Sequence, residues 1–117
     1  MPFRLKRAYD PPAADDGYRV LIDRLWARGL TREAAAVDLW FKEIAPSNEL
    51  RKWFGHDPAQ WDEFLLRYAR ELAEHPESLE KLLAMGEGRT VTLLYSTRET
   101  ERNHGVALLG MLKRRGG

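Results

Sequence analysis

From position 23 to 29 the chain reads Asp-Arg-Leu-Trp-Ala-Arg-Gly, directly behind an apolar run, Val20-Leu21-Ile22. Packing asks for no more than a turn at that point. Instead an acid, two guanidiniums and an indole crowd around it. Guanidinium forks grip phosphate and carboxylate groups through paired hydrogen bonds, so Arg24 and Arg28 are candidate anion ligands. Trp26 offers a flat face to a ring. Asp23 is a candidate acid or base. Each has a plainer alternative. Arg24 beside Asp23 also reads as an ion pair fixing the turn, and Trp26 as core or rim packing.

Three other stretches carry polar groups of this kind. Lys42-Glu43 follows the alternating Val37, Leu39 and Phe41, and reads otherwise as a solvated pair. Ser96-Thr97-Arg98-Glu99 follows Thr90–Tyr95 and spells a capping box. A helix starting there would present free N–H groups to an anion. His56 lies between a helix stop, Gly55, and a helix start, Asp57. It is a candidate general acid or base, with a turn histidine as the alternative. The expected site therefore has Asp23 and His56 as catalytic candidates. Arg24, Trp26, Arg28, Lys42, Ser96 and Arg98 are its ligand-binding candidates. Asn103-His104 lies two turns into the expected last helix, so its direction relative to this cluster is left open.

Ligands of open α/β sheets bind beyond the carboxyl ends of the strands, and the elements place these groups there. Strands are expected at Phe3–Lys6, Tyr18–Asp23, Val37–Ile44 and Thr90–Tyr95. The segment Tyr9–Gly17, with two prolines, three aspartates and a glycine, is a loop. Thr31 caps a short helix to Ala36. Ser47 caps a helix, Asn48–Phe54, that Gly55 closes. Asp57-Pro58-Ala59-Gln60 opens another, with Asp57 as cap and Gln60 placed to reach back to it, and in that helix Trp61, Phe64, Leu65, Tyr68 and Leu72 share one face. Glu63, Arg67 and Glu71 form a solvated ladder on the other. A helix over Glu77–Met85 stops at Gly86, and a last one runs from Thr97 to about Lys113. The expected architecture is a single α/β domain over residues 1–117. It has a small, mainly parallel sheet flanked by helices and a helical subregion in the middle of the chain.

Bulk composition excludes several classes. With 117 residues, 44% hydrophobic and 32% charged, the chain fits one soluble globular domain. A net charge of +1 does not advertise nucleic acid, although both ends are basic: Arg4, Lys6 and Arg7, then Lys113, Arg114 and Arg115. The absence of cysteine excludes disulfides, thiolate metal sites and a thiol nucleophile. His56, His75 and His104 have no metal-ligand spacing, and no metal site is expected. No pattern names a cofactor: glycine-rich phosphate loop, nucleophile elbow and zinc motif are all missing. No apolar run spans a bilayer and no secretory signal opens the chain, so a cytoplasmic protein without a membrane partner is expected.

Three stretches together, YRVLIDRLWARGL, LWFKEIAPSNELRKWFGHDP and TLLYSTRETERNHGVAL, resemble the YeaO-like family of uncharacterised bacterial proteins. The resemblance covers roughly residues 3–112. The family's R-V-L-x-D-R-x-W-x-R-G pattern matches Arg19–Gly29, and its A-P-S-x-x-L-R-x-W-F-x-H-D pattern matches Ala45–Asp57. Many relatives have proline where Ala27 stands. A broader set carries Cys-x-Glu and Cys-His-Arg at the positions corresponding to Tyr95–Thr97 and Asn103. Thiol chemistry of those relatives does not transfer to this chain. The resemblance implies no assigned activity.

The function these residues favour is a site for a small anionic ligand, a phosphate-bearing and nucleotide-like molecule, at the strand ends. Whether a reaction follows is left open. The alternatives are a nucleic-acid-associated protein using the basic ends, and a non-catalytic interaction module anchored by Trp40, Trp53 and Trp61.

Overall fold

A computed structural model describes residues 2–116. Four strands, β1 (Phe3–Arg7), β2 (Tyr18–Leu21), β3 (Leu39–Trp40) and β4 (Val91–Tyr95), form one sheet in the order β1-β4-β2-β3. Every neighbouring pair is parallel. The central strand β4 is buried along its whole length, as its β-branched and apolar run requires. Five α-helices accompany the sheet: α1 (Arg32–Ala35), α2 (Asn48–Phe54), α3 (Trp61–Glu74), α4 (Pro76–Met85) and α5 (His104–Arg114).

The two-residue period of the strands sorts the layers. Phe3, Val20, Ile22, Val91 and Leu93 point to one face and share a core with α2, α3, α4 and α5. Leu21 and Leu94 point the other way, onto Ala8, Ala27, Ala35 and Val37. That second face has no long helix over it. It is covered by α1 and by the loop between β1 and β2.

The polar side chains of this second face explain why the loop is rich in aspartate. Arg19 is 3% exposed and Asp16 2%, and the two pair directly. Lys6 Nζ adds a second bond to Asp16, at 2.9 Å. Arg4 pairs with Asp15 at 3.0 Å at the exposed edge. The rest of the Arg19 guanidinium donates to the Ala35 and Ala36 carbonyls, tying α1 down. Gly17 closes the loop at φ +66°, and a Cβ there would lie 2.2 Å from the Thr90 carbonyl oxygen. Only glycine lets the chain enter β2 at this point.

Local signals set several boundaries as expected. Thr31 accepts from Ala34 N–H, Ser47 accepts from Leu50 N–H, and Gly55 ends α2 in the left-handed region. Four expectations are corrected. The third strand is two residues long, because a 3-10 turn over Lys42–Ile44 follows at once. Gln60 does not reach back to Asp57; its amide donates to the Trp53 and Phe54 carbonyls. Glu71 is no ladder residue, since its carboxylate accepts from the Ser47 N–H and hydroxyl. The last helix begins at His104, with Asn103 as its cap, and not near Thr97.

Tyr68 fastens the helical layer to the sheet edge. Its side chain is fully buried and its hydroxyl donates to the Ile44 carbonyl at 2.6 Å. Tyr68→Phe leaves that carbonyl unpaired and is expected to cost about 1–3 kcal/mol. Urea unfolding checks it; an unchanged midpoint would show that the bond contributes nothing net.

Candidate functional site

The parallel register brings the first two groups together. Leu21 lies opposite Leu94, and the ladder continues through Ile22 N–H to the Leu94 carbonyl at 3.0 Å. Two residues on, Asp23 and Ser96 must meet. Asp23 Oδ2 accepts from the Ser96 N–H at 3.0 Å and from the Ser96 hydroxyl in a short bond. Ser96 therefore lines the site but spends its hydroxyl on Asp23.

His104, the first residue of α5, completes this group. Its Nε2 lies 3.0 Å from Asp23 Oδ1 and 3.1 Å from the Ile22 carbonyl oxygen. The ring N–H is aligned with the carbonyl. Asp23 Oδ1 is left solvent-excluded with no aligned hydrogen bond, although the imidazole is within ion-pairing distance. Both groups near Nε2 are acceptors, so Nε2 carries a proton.

Around this centre opens a cleft of about 760 Å³ at the carboxyl end of the sheet. Arg24, Trp26, Arg28, His56, Ser96 and Asp23 all line it, from the set expected on sequence. Phe54 and Phe64, stacked at 4.4 Å, make its apolar floor, while Arg51 and Lys52 from α2 supply two further cations. Arg24 is partly committed, with Nε donating to the Pro46 carbonyl and Nη2 to the Ala45 carbonyl. Among the described residues, none of Arg24, Arg28, Arg51 and Lys52 pairs with a carboxylate. Asp23 is the one acid lining this cleft.

Trp26 is a wall with little free surface. Its indole N–H donates to the Leu30 carbonyl at 2.6 Å, its ring meets Trp40 edge to face at 5.4 Å, and Arg32 lies over it. His56 takes φ +58°, a region non-glycine residues enter at a cost, and its ring leans on Phe54 at 5.8 Å. Glu99, outside the cleft lining, has its carboxyl held below the usual range, first by the Glu101 and Arg102 N–H groups and more weakly by His56.

Two of the expected ligand residues lie elsewhere. Lys42 starts the 3-10 turn after β3, which aims its ammonium over the Trp40 ring at 5.3 Å, away from the cleft. Arg98 is exposed on a loop and does not line the cleft. The capping box behind that expectation never forms. Glu99 accepts from Glu101 and Arg102 N–H instead, and this turn delays the helix to Asn103. His104, Arg51 and Lys52 were the residues a sequence reading underweighted. The parallel offset pairing 23 with 96 was legible; the seating of His104 on Asp23 depends on where α5 starts.

Of the features behind the rival readings, the basic end, Lys113, Arg114 and Arg115, is exposed. Arg4 and Lys6 are paired with aspartates, and Arg7 donates to the Ser96 and Thr97 carbonyls, so the basic start is occupied. Trp40, Trp53 and Trp61 are half-buried, with Trp53 under the Arg67 guanidinium at 4.0 Å. No helix among the described residues is long and apolar enough to cross a membrane, and those residues hold no cluster suited to a metal ion.

A family model described as the inactive DUF488-N3 subclade matches residues 2–115. The uncharacterised protein YeaO of Escherichia coli K12 is 42% identical over 113 residues, 97% of this chain and 98% of that one. The uncharacterised protein Rv3073c of Mycobacterium tuberculosis H37Rv is 38% identical over 112 residues, 96% of this chain and 94% of that one. Mb3100c of Mycobacterium bovis is similar to the same degree. No solved structure gives a significant match.

Proposed function

Because this chain belongs to the inactive DUF488-N3 subclade, we propose that its cleft binds a small anion without transforming it. The ligand is a phosphate- or carboxylate-bearing molecule, with a short carbon skeleton against the aromatic lining of the cleft. One observation carries this reading. Three guanidiniums and a lysine line a concave site with a single acid in its lining, and that acid is already engaged by Ser96 and His104. Folding alone does not require unneutralised guanidiniums around an apolar floor, whereas an anion does. The subclade's description speaks against a reaction, and so do the commitments of Asp23. It acts here as a positioning residue.

Thermal unfolding with a panel of nucleotides, sugar phosphates and hydroxy acids tests the proposal. A ligand at about 100 times its Kd should add about 2.7 kcal/mol of stability. The double variant Arg28→Ala plus Arg51→Ala removes two exposed cations. It should keep the unliganded Tm and weaken that ligand about tenfold or more. Absence of stabilisation by every anion, or an equal shift in the double variant, would overturn it.

A further inference from the structure

The state of His104 points to the chemistry of the ligand beyond its charge. Nε2 is held as a donor by the Ile22 carbonyl and the Asp23 carboxylate. Asp23 is itself fixed by two bonds from Ser96. The ring is therefore locked in one orientation, and in the neutral imidazole Nδ1 is an acceptor. Among the described residues Nδ1 has no hydrogen-bond partner. It is not among the solvent-excluded polar atoms, of which Asp23 Oδ1 is the one found among the described residues. His104 lines the cleft, and Nδ1 is the ring nitrogen left over once Nε2 is engaged. The cations of the cleft offer only donors. A bound anion satisfies them but leaves Nδ1 facing acceptor oxygens.

Resting on the anion-site reading above, we propose that His104 Nδ1 accepts a hydrogen bond from an alcohol of the ligand. The cleft then selects hydroxylated anions, the chemistry of sugar phosphates and hydroxy acids, over the same anions without a hydroxyl. The carboxylate behind the ring strengthens the acceptor. A ligand that covers Nδ1 without donating to it strips this acceptor of water and leaves it unpaired, so the analogue without a hydroxyl is disfavoured. Asp23 sets the ring's tautomer and acts through His104.

Matched pairs isolate the hydroxyl: glycerol 3-phosphate against propyl phosphate, AMP against its 2′,3′-dideoxy form, and lactate against propionate. Titration of the full chain by calorimetry, at about pH 8 to favour neutral imidazole, should show the hydroxylated member of at least one pair binding about tenfold or more tightly. His104→Phe should abolish that ratio by lowering affinity for the hydroxylated member alone. Asp23→Asn, which no longer holds Nε2–H by charge, should shrink the ratio while arginine-dependent binding persists. If either variant unfolds, the other still reads the ratio. Equal affinity within every pair that binds would overturn this inference and leave the anion site standing. No binding by either member of any pair would overturn both.

Discussion

Asp16→Ala should lower stability by about 3–5 kcal/mol, a large share of what a domain of this size possesses. The reason is what remains behind. Arg19 is almost fully buried, and without Asp16 its charge faces only the Ala35 and Ala36 carbonyls. Lys6 and the Ala13 N–H lose their acceptor as well. Replacing both Asp16 and Arg19 by leucine and methionine should cost less than the single change, because no buried charge is then stranded. Urea unfolding of wild type, single and double variants measures the difference. A single variant within about 1 kcal/mol of wild type would show that water reaches the site. The same group predicts acid sensitivity. Burial alone would raise the Asp16 carboxyl, but bonds from Ala13 N–H, Lys6 and Arg19 outweigh it and hold the group below 3.8. A carboxyl depressed in the folded state contributes stability that is complete above its unfolded value and lost as pH falls through the folded one. Stability from Asp16 should therefore be intact at neutral pH and drain away below about pH 4.

Phe64→Ala should cost a similar amount, about 3–5 kcal/mol, and should also damage the cleft. Phe64 is 1% exposed and stacks on Phe54 at 4.4 Å, with Trp61 at 5.7 Å and Tyr68 at 5.8 Å on its other sides. Truncation opens a void that the three remaining rings, Phe54, Trp61 and Tyr68, cannot close together. Because Phe54 is shared between this stack and the cleft floor, ligand-induced stabilisation should fall along with the unliganded Tm. Phe64→Leu keeps most of the volume and should lose less of both. Thermal unfolding of the two variants, with and without the best anion, separates the effects. Full ligand response in Phe64→Ala would show that the floor is dispensable.

The two expectations also show why one half of the molecule was easier to read than the other. The ring stack repeats at helical spacing along α3, so its burial was legible from residues 61–72. The Asp16–Arg19 pair was not, because a Pro- and Asp-rich segment reads as a solvated loop. Only the sheet's second face, with Arg19, Lys6 and Thr92 on it, gives that segment something to neutralise. The residue expected to cap the last helix failed for a related reason. Ser96 fits a capping box, but the parallel ladder places Asp23 within reach first. At 105 only glycine fits without a shift, since a Cβ there would sit 2.7 Å from Leu5 Cδ1.

By itself the chain determined three of its strands, most of its helix caps and the edge of the sheet at which the cleft opens. Those follow from side-chain period, turn chemistry and the rule of strand ends, all of which act over a few residues. The tertiary structure decided which charges stay free. Arg24 and Arg28 reach the cleft while Lys42 and Arg98 turn away, and His104 comes to rest on Asp23. Such pairings depend on a strand order that joins residues 73 positions apart, and no local preference encodes which partner is within reach.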